Sequence, residues 1–202
     1  MTAGRGILHR EHHSEAFTRN GGTLEMVQLW VNLPARDKLT DPGYQTLLRD
    51  EIPTVALPDG AGSVRVVAGR LGPVTGPART RTPMAVWDAR LTAGATARLP
   101  LPDDWNALLV VLHGTVEMDA GQEAAEGQLV VLSREGAEVV ARARTDATVL
   151  VLAGEPIDEP IVGYGPFVMN TQDQIRQAIR DLEAGRFGSV PATATSSPAT
   201  PS

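Results

Sequence analysis

The sequence predicts an all-β sandwich or barrel, closed by one helix. Short runs of β-branched and aliphatic residues recur from about residue 54 at roughly ten-residue spacing, the pattern of an all-β body. Glycine and proline, 20 and 15 of the 202 residues, punctuate the gaps between those runs. Only one stretch, near the C-terminal end, carries a clear helical period.

Taken in order, residues 1–20 are polar and contain a histidine-rich, strand-like stretch. Gly21-Gly22 marks a turn. Leu24 to Leu33 (LEMVQLWVNL) is almost wholly apolar and ends at Pro34, which predicts a strand buried on both faces or a barrel strand. Residues 35–53 are charged and turn-rich, with one helical turn expected around Tyr44 to Arg49. Strands are then predicted at Val64–Ala68, Met84–Leu91, Leu108–Leu112, Val116–Met118, Gln128–Leu132, Ala137–Ala143 and Thr148–Leu152. His113-Gly114 reads as the turn of a hairpin. Thr171 with Gln174 three residues on forms a capping box, and Ile175, Ala178, Ile179 and Leu182 then repeat at helical spacing. Gly185 stands where a helix ends. Residues 189–202 (SVPATATSSPATPS) hold too little apolar surface to fold and predict a disordered tail.

Composition narrows the function. Net charge is −6 and the pI about 5.2, which argues against direct binding to nucleic acid. The absence of cysteine excludes disulfides and thiolate metal sites. The N-terminus shows no apolar leader, and the longest aliphatic run, Ala107 to Leu112, is too short to span a bilayer. A cytoplasmic protein without membrane attachment is expected.

Three of the four histidines (His9, His12, His13) and two carboxylates (Glu11, Glu15) fall within the first fifteen residues. On a strand, side chains two apart share a face, so His9, Glu11 and His13 would point one way. Histidine and carboxylate on one face inside a barrel are the donors that hold non-haem Fe(II) with open positions. The same spacing also describes a solvated polar strand near a chain end. Gly4 and Gly6 read as a tight turn before it. His113 reads as a turn residue, and Trp30, Trp87 and Trp105 as core or rim packing. Glu155 to Pro160, with three acids and two prolines, reads as a stiffened solvated connector.

Several stretches together resemble the pirin family of bicupins. They are Met1 to His9 (MTAGRGILH), Gln28 to Pro34 (QLWVNLP), Pro42 to Gln45 (PGYQ), Gly154 to Val162 (GEPIDEPIV) running on to Gly165–Thr171 (GPFVMNT), and Gly185 to Gly188 (GRFG). The order of these blocks over residues 1 to 188 makes the resemblance specific. It implies a cupin double-barrel fold, jelly-roll-like, with metal in the first barrel only. Residues 1–50 would be the remnant of that first barrel. Residues 51–188 would form the second barrel, with a closing helix at about 172–184.

The resemblance also implies an iron site of three histidines and one glutamate. His9 matches the third histidine and Glu11 the glutamate of the second cupin motif, so His9 and Glu11 are the expected metal ligands. The first motif, which supplies the other two histidines, is missing. That implies a truncated product or a start placed too late, with an incomplete first barrel. Family activity is quercetin 2,3-dioxygenation, the iron-dependent cleavage of a flavonol ring by O₂. Glu11 would be its catalytic residue, and that activity is expected to be impaired here. The alternatives are an iron-dependent transcriptional cofactor that binds protein and not DNA, or an inert fragment.

Overall fold

The computed structural model describes residues 1–119 and 121–188; the predicted tail at 189–202 lies outside them. The chain divides into two compact units. One is Gln45–Asp158, and the other joins Met1–Tyr44 to the chain from Glu159 onward. The C-terminal helix belongs to the unit that contains the N-terminal segment.

Residues 45–158 contain strands β1 (Thr54–Ala56), β2 (Gly62–Ala68), β3 (Arg70–Leu71), β4 (Val74–Thr75), β5 (Met84–Leu91), β6 (Thr96–Pro100), β7 (Asn106–His113), β8 (Thr115–Met118), β9 (Glu123–Ala125), β10 (Leu129–Val131), β11 (Glu138–Ala143) and β12 (Ala147–Gly154). Two antiparallel sheets carry the fold, in the orders β1-β2-β5-β12-β7-β10 and β6-β11-β8-β9. Each predicted strand of this unit is present, within two residues of its expected ends.

Period-two alternation explains why the sheets close on one another. Along β5, Ala85, Trp87, Ala89 and Leu91 are buried while the residues between them face outward. β12 buries Ala147, Val149, Val151 and Ala153, and β7 buries Ala107, Leu109 and Val111. Leu99, Val116, Met118, Val139 and Ala141 come from the other sheet into the same core cluster. On the outer face Arg65 lies 3.3 Å from Asp88 across the β2–β5 pair.

His113-Gly114 is not a hairpin turn. β7 pairs with β12 and β10, and β8 pairs with β11 and β9, so the dipeptide carries the chain from one sheet to the other. Gly114 sits at φ +78°, and a Cβ there would meet the Asp146 carbonyl oxygen at 2.2 Å. The bend therefore needs glycine for its backbone angle and for the space.

In the other unit, β13 (Val162–Tyr164) pairs with β14 (Phe167–Met169). Helix α1 (Glu15–Asn20) is short and was not expected; Ser14 caps it by accepting from Phe17 N at 3.2 Å. Helix α2 (Gln172–Glu183) follows the sequence closely. Thr171 Oγ1 accepts from Gln174 N at 3.2 Å, Gln174 Oε1 accepts from Thr171 N at 3.0 Å, and Ile175 and Ala178 are buried. Gly185, at φ +69°, follows the end of the helix as expected.

The predicted strand at 24–33 does not form. Leu24, Met26, Val27, Leu29, Trp30 and Val31 are exposed, with Trp30 66% accessible, so Trp30 is not a core residue. A strand exists through its neighbours, and this segment pairs with none among the described residues. The turn expected near Tyr44–Arg49 lies slightly later, as a single 3₁₀ turn at Arg49–Glu51.

Candidate metal centre

Residues 7–13 are irregular, not a strand. The turn before them is as expected: Gly4 lies at φ +52°, and Gly6 N donates to the Ala3 carbonyl at 3.0 Å. His9 and Glu11 nevertheless come together, with Nδ1 3.9 Å from Oε1 and both side chains accessible. The rest of the cluster disperses. His13 packs its ring against Phe17, with centroids 5.2 Å apart, and Glu15 lies 4.0 Å from Arg19 one turn along α1. Ser14 caps that helix, and residues 7–13 have no strand geometry to hold His13 on one face with His9 and Glu11.

Among the described residues no three histidine or acidic side chains converge on a point where a metal ion could sit. His9 and Glu11 are donors of the right chemistry, but two donors leave most of a first-row metal's inner shell to solvent. The residues present thus do not complete the iron site that the sequence implied. In the Gln45–Asp158 unit, His113, the last residue of β7, lies 3.5 Å from Glu126. The interior of that unit is filled by Val64, Val66, Trp87, Leu99, Leu109, Val111, Val149 and Val151, which are no donors for a metal.

Sequence reasoning passed over a polar network around a buried lysine in the unit that contains Met1–Tyr44. Lys38 is the single lysine of the chain and is only 5% exposed. Its Nζ donates to Asn32 Oδ1 at 2.5 Å. Burial lowers its pKa below the usual lysine value, and the charge of Glu159 partly offsets this. Glu159 Oε2 accepts from Ala35 N at 2.6 Å and from Asn170 Nδ2 at 3.1 Å. Asn170 Nδ2 also reaches the Pro160 carbonyl at 2.9 Å, which leaves Asn170 Oδ1 buried and unpaired among the described residues. Glu159 is therefore a structural acceptor within the connector, whose Glu155 and Asp158 are exposed as expected. The available signal was composition: one lysine against seventeen arginines marks a position where an ammonium group, not a guanidinium, is wanted.

Residues 86–188 match the family model described as the pirin C-terminal cupin domain. A Pseudomonas aeruginosa protein named "Putative quercetin 2,3-dioxygenase" is 54% identical over 188 residues, covering 93% of this chain and 65% of that protein. A pirin-like protein from Solanum lycopersicum is 38% identical over 191 residues, covering 93% of this chain and 63% of its own length. A crystal structure of quercetin 2,3-dioxygenase from Acinetobacter baumannii superposes with a TM-score of 0.76 at 41% identity, over 80% of this chain and 56% of that one. The chain thus spans a little under two thirds of the length of these curated relatives. The strand pattern, the closing helix and these matches agree: the chain belongs to the pirin family of cupin proteins.

Proposed function

We propose that this chain forms part of a metal-dependent dioxygenase that opens a flavonol ring with O₂, and that His9 and Glu11 are two of its metal donors. The observation that carries this reading is the approach of His9 Nδ1 to Glu11 Oε1, 3.9 Å apart, on an accessible segment. The names of the relatives from Pseudomonas and Acinetobacter support the substrate class. Iron is the metal of this proposal, since an imidazole and a carboxylate with open positions suit Fe(II).

Residues 1–50 then belong to a first barrel and 51–188 to a second. The remaining donors belong to polypeptide of the kind by which the longer relatives exceed this sequence. No reaction step is assigned to the metal, because the described residues do not complete its site. Both side chains are accessible to whatever completes the shell. The apolar interior of the Gln45–Asp158 unit leaves the second barrel a supporting role.

The test compares the chain with a fusion carrying the further residues of the Pseudomonas relative. The chain alone should keep its melting temperature when Fe(II) is added, since a ligand bound only to the folded state would raise it. The fusion should bind one iron and consume O₂ with quercetin, and His9→Ala or Glu11→Gln should abolish both. A fusion that binds iron and leaves quercetin untouched would refute the substrate. One that binds no iron would refute the metal site.

A further inference from the structure

The strained backbone of the Gln45–Asp158 unit goes beyond the metal reading and stands independently of it. Among the described residues, three that are not glycine hold a positive φ, and all are aspartates: Asp59 at +54°, Asp104 at +64° and Asp158 at +49°. Asp59 alone is followed by glycine; Trp105 and Glu159 follow the other two. Asp59 and Gly60, the latter at φ +68°, are the central residues of the tight turn that joins β1 to β2. Ala61 N closes that turn on the Pro58 carbonyl at 3.0 Å, and Leu57 N donates to the Gly62 carbonyl at 2.9 Å. Gly60 N is left without a backbone acceptor among the described residues. Both residues are exposed, and nothing lies within 4 Å of the place a Gly60 Cβ would take.

A carboxyl group next to an unhindered, unbonded glycine amide can be attacked by its own backbone. We infer that Asp59 is a self-modification site, which converts to an isoaspartyl residue through a cyclic imide with Gly60. Gly60 N attacks Asp59 Cγ. The N–Cγ bond forms as the carboxyl hydroxyl leaves, taking the amide proton with it as water. A second water then opens the imide. Attack at Cγ restores aspartate. Attack at the main-chain carbonyl carbon of Asp59 breaks its bond to Gly60 N and leaves the backbone running through Cγ. The net change is an isomerisation and needs no oxidant or reductant. The left-handed conformation crowds the Cβ of an L-residue, and the added backbone methylene releases Asp59 from it. Asn20-Gly21 carries related dipeptide chemistry, but there Gly21 N donates to the Phe17 carbonyl at 2.8 Å, which withholds the nucleophile. β1 pairs with β2 alone, so a lengthened turn should loosen β1 first.

The test ages the full chain in neutral buffer made with heavy-oxygen water. Trypsin then frees residues 50–65 as one peptide. That peptide should split into two chromatographic species. The new one should carry a single heavy oxygen at residue 59, resist an aspartate-specific endoprotease there and accept a methyl group from an isoaspartyl methyltransferase. Asp59→Glu, which can close only a larger ring, should abolish the change, and Gly60→Ala should slow it several-fold. No isoaspartate at residue 59 would overturn the inference. Its appearance only in the urea-unfolded chain would do the same, because the turn would then protect the pair. So would a Gly60→Ala chain that converts as fast as its parent, or label taken up equally at Asp104 and Asp158. Hydrogen exchange at Thr54–Ala56 should quicken in the converted fraction; unchanged exchange there would overturn the effect on β1.

Discussion

Lys38 and Asn32 are tied by a 2.5 Å hydrogen bond that closes a six-residue loop around Pro34. The amide has one donor and the ammonium one fixed acceptor, so removing either strands the other in a buried place. Lys38→Met should cost about 1–3 kcal/mol, the usual penalty for an orphaned buried polar group. Lys38→Arg should cost nearly as much, because the larger planar group does not fit a site built for a point donor. Urea denaturation of the full chain measures both.

The same lysine gives the stability a pH dependence. Its folded pKa lies below the ordinary 10.5, chiefly through burial. Between the folded value and 10.5 the unfolded chain carries a proton that the folded chain has shed. Stability should therefore rise with pH across that window and be flat on either side of it. Lys38→Met should remove this slope in melting curves taken through the alkaline range.

Trp87 is 1% exposed, yet its indole Nε1 has no partner among the described residues. Trp87→Ala should cost about 3–5 kcal/mol, as deep large-to-small changes do. Trp87→Phe should cost far less, because it deletes the unpaired N–H along with part of the volume. Chemical denaturation followed by circular dichroism separates the two.

Thr171→Ala removes the hydroxyl that accepts from Gln174 N and should destabilise α2 by about 1 kcal/mol. Gln174→Ala should act through the same box and show less than additive loss in the double variant. Hydrogen exchange of the first helical turn is the local readout.

Gly62 lies at φ +127°, and a Cβ there would stand 1.9 Å from the Arg90 carbonyl oxygen, on the strand that β2 pairs with. Gly62→Ala should cost more than about 1 kcal/mol, from backbone strain and from pushing β2 away from β5. Gly60→Ala, also at positive φ but with open space around it, should cost less. Paired melting curves decide the comparison.

The Gln45–Asp158 unit was legible because its signal is local. Alternation along Met84–Leu91 and Ala147–Gly154 encodes burial directly, and glycine and proline mark the ends. α2 was legible for the same reason, through Thr171, Gln174 and the stripe from Ile175. The segment at 24–33 was misread because hydrophobicity reports what a segment could bury, not whether a neighbour is there to bury it. His113-Gly114 was misread because a turn dipeptide looks the same whether its flanking strands pair or part. The approach of His9 to Glu11 was legible from their spacing, whereas the helix that Ser14 caps and the packing of His13 on Phe17 were not. The Lys38 network was hidden because its two local pairs, Asn32 with Lys38 and Glu159 with Asn170, are brought together by the contact of Glu159 with Ala35, 124 residues apart in the chain.

Strand β12 is the last of its unit to be made, yet it lies in the middle of the six-stranded sheet, between β5 and β7. During synthesis both of those strands must wait, each with one edge open, until residue 154 has left the ribosome. Hydrophobic strands from Val64 to Val111 are exposed through that interval, the condition under which nascent chains aggregate. Chaperone demand should therefore end with β12, and a ribosome stalled before Ala147 should hold the unit unfolded.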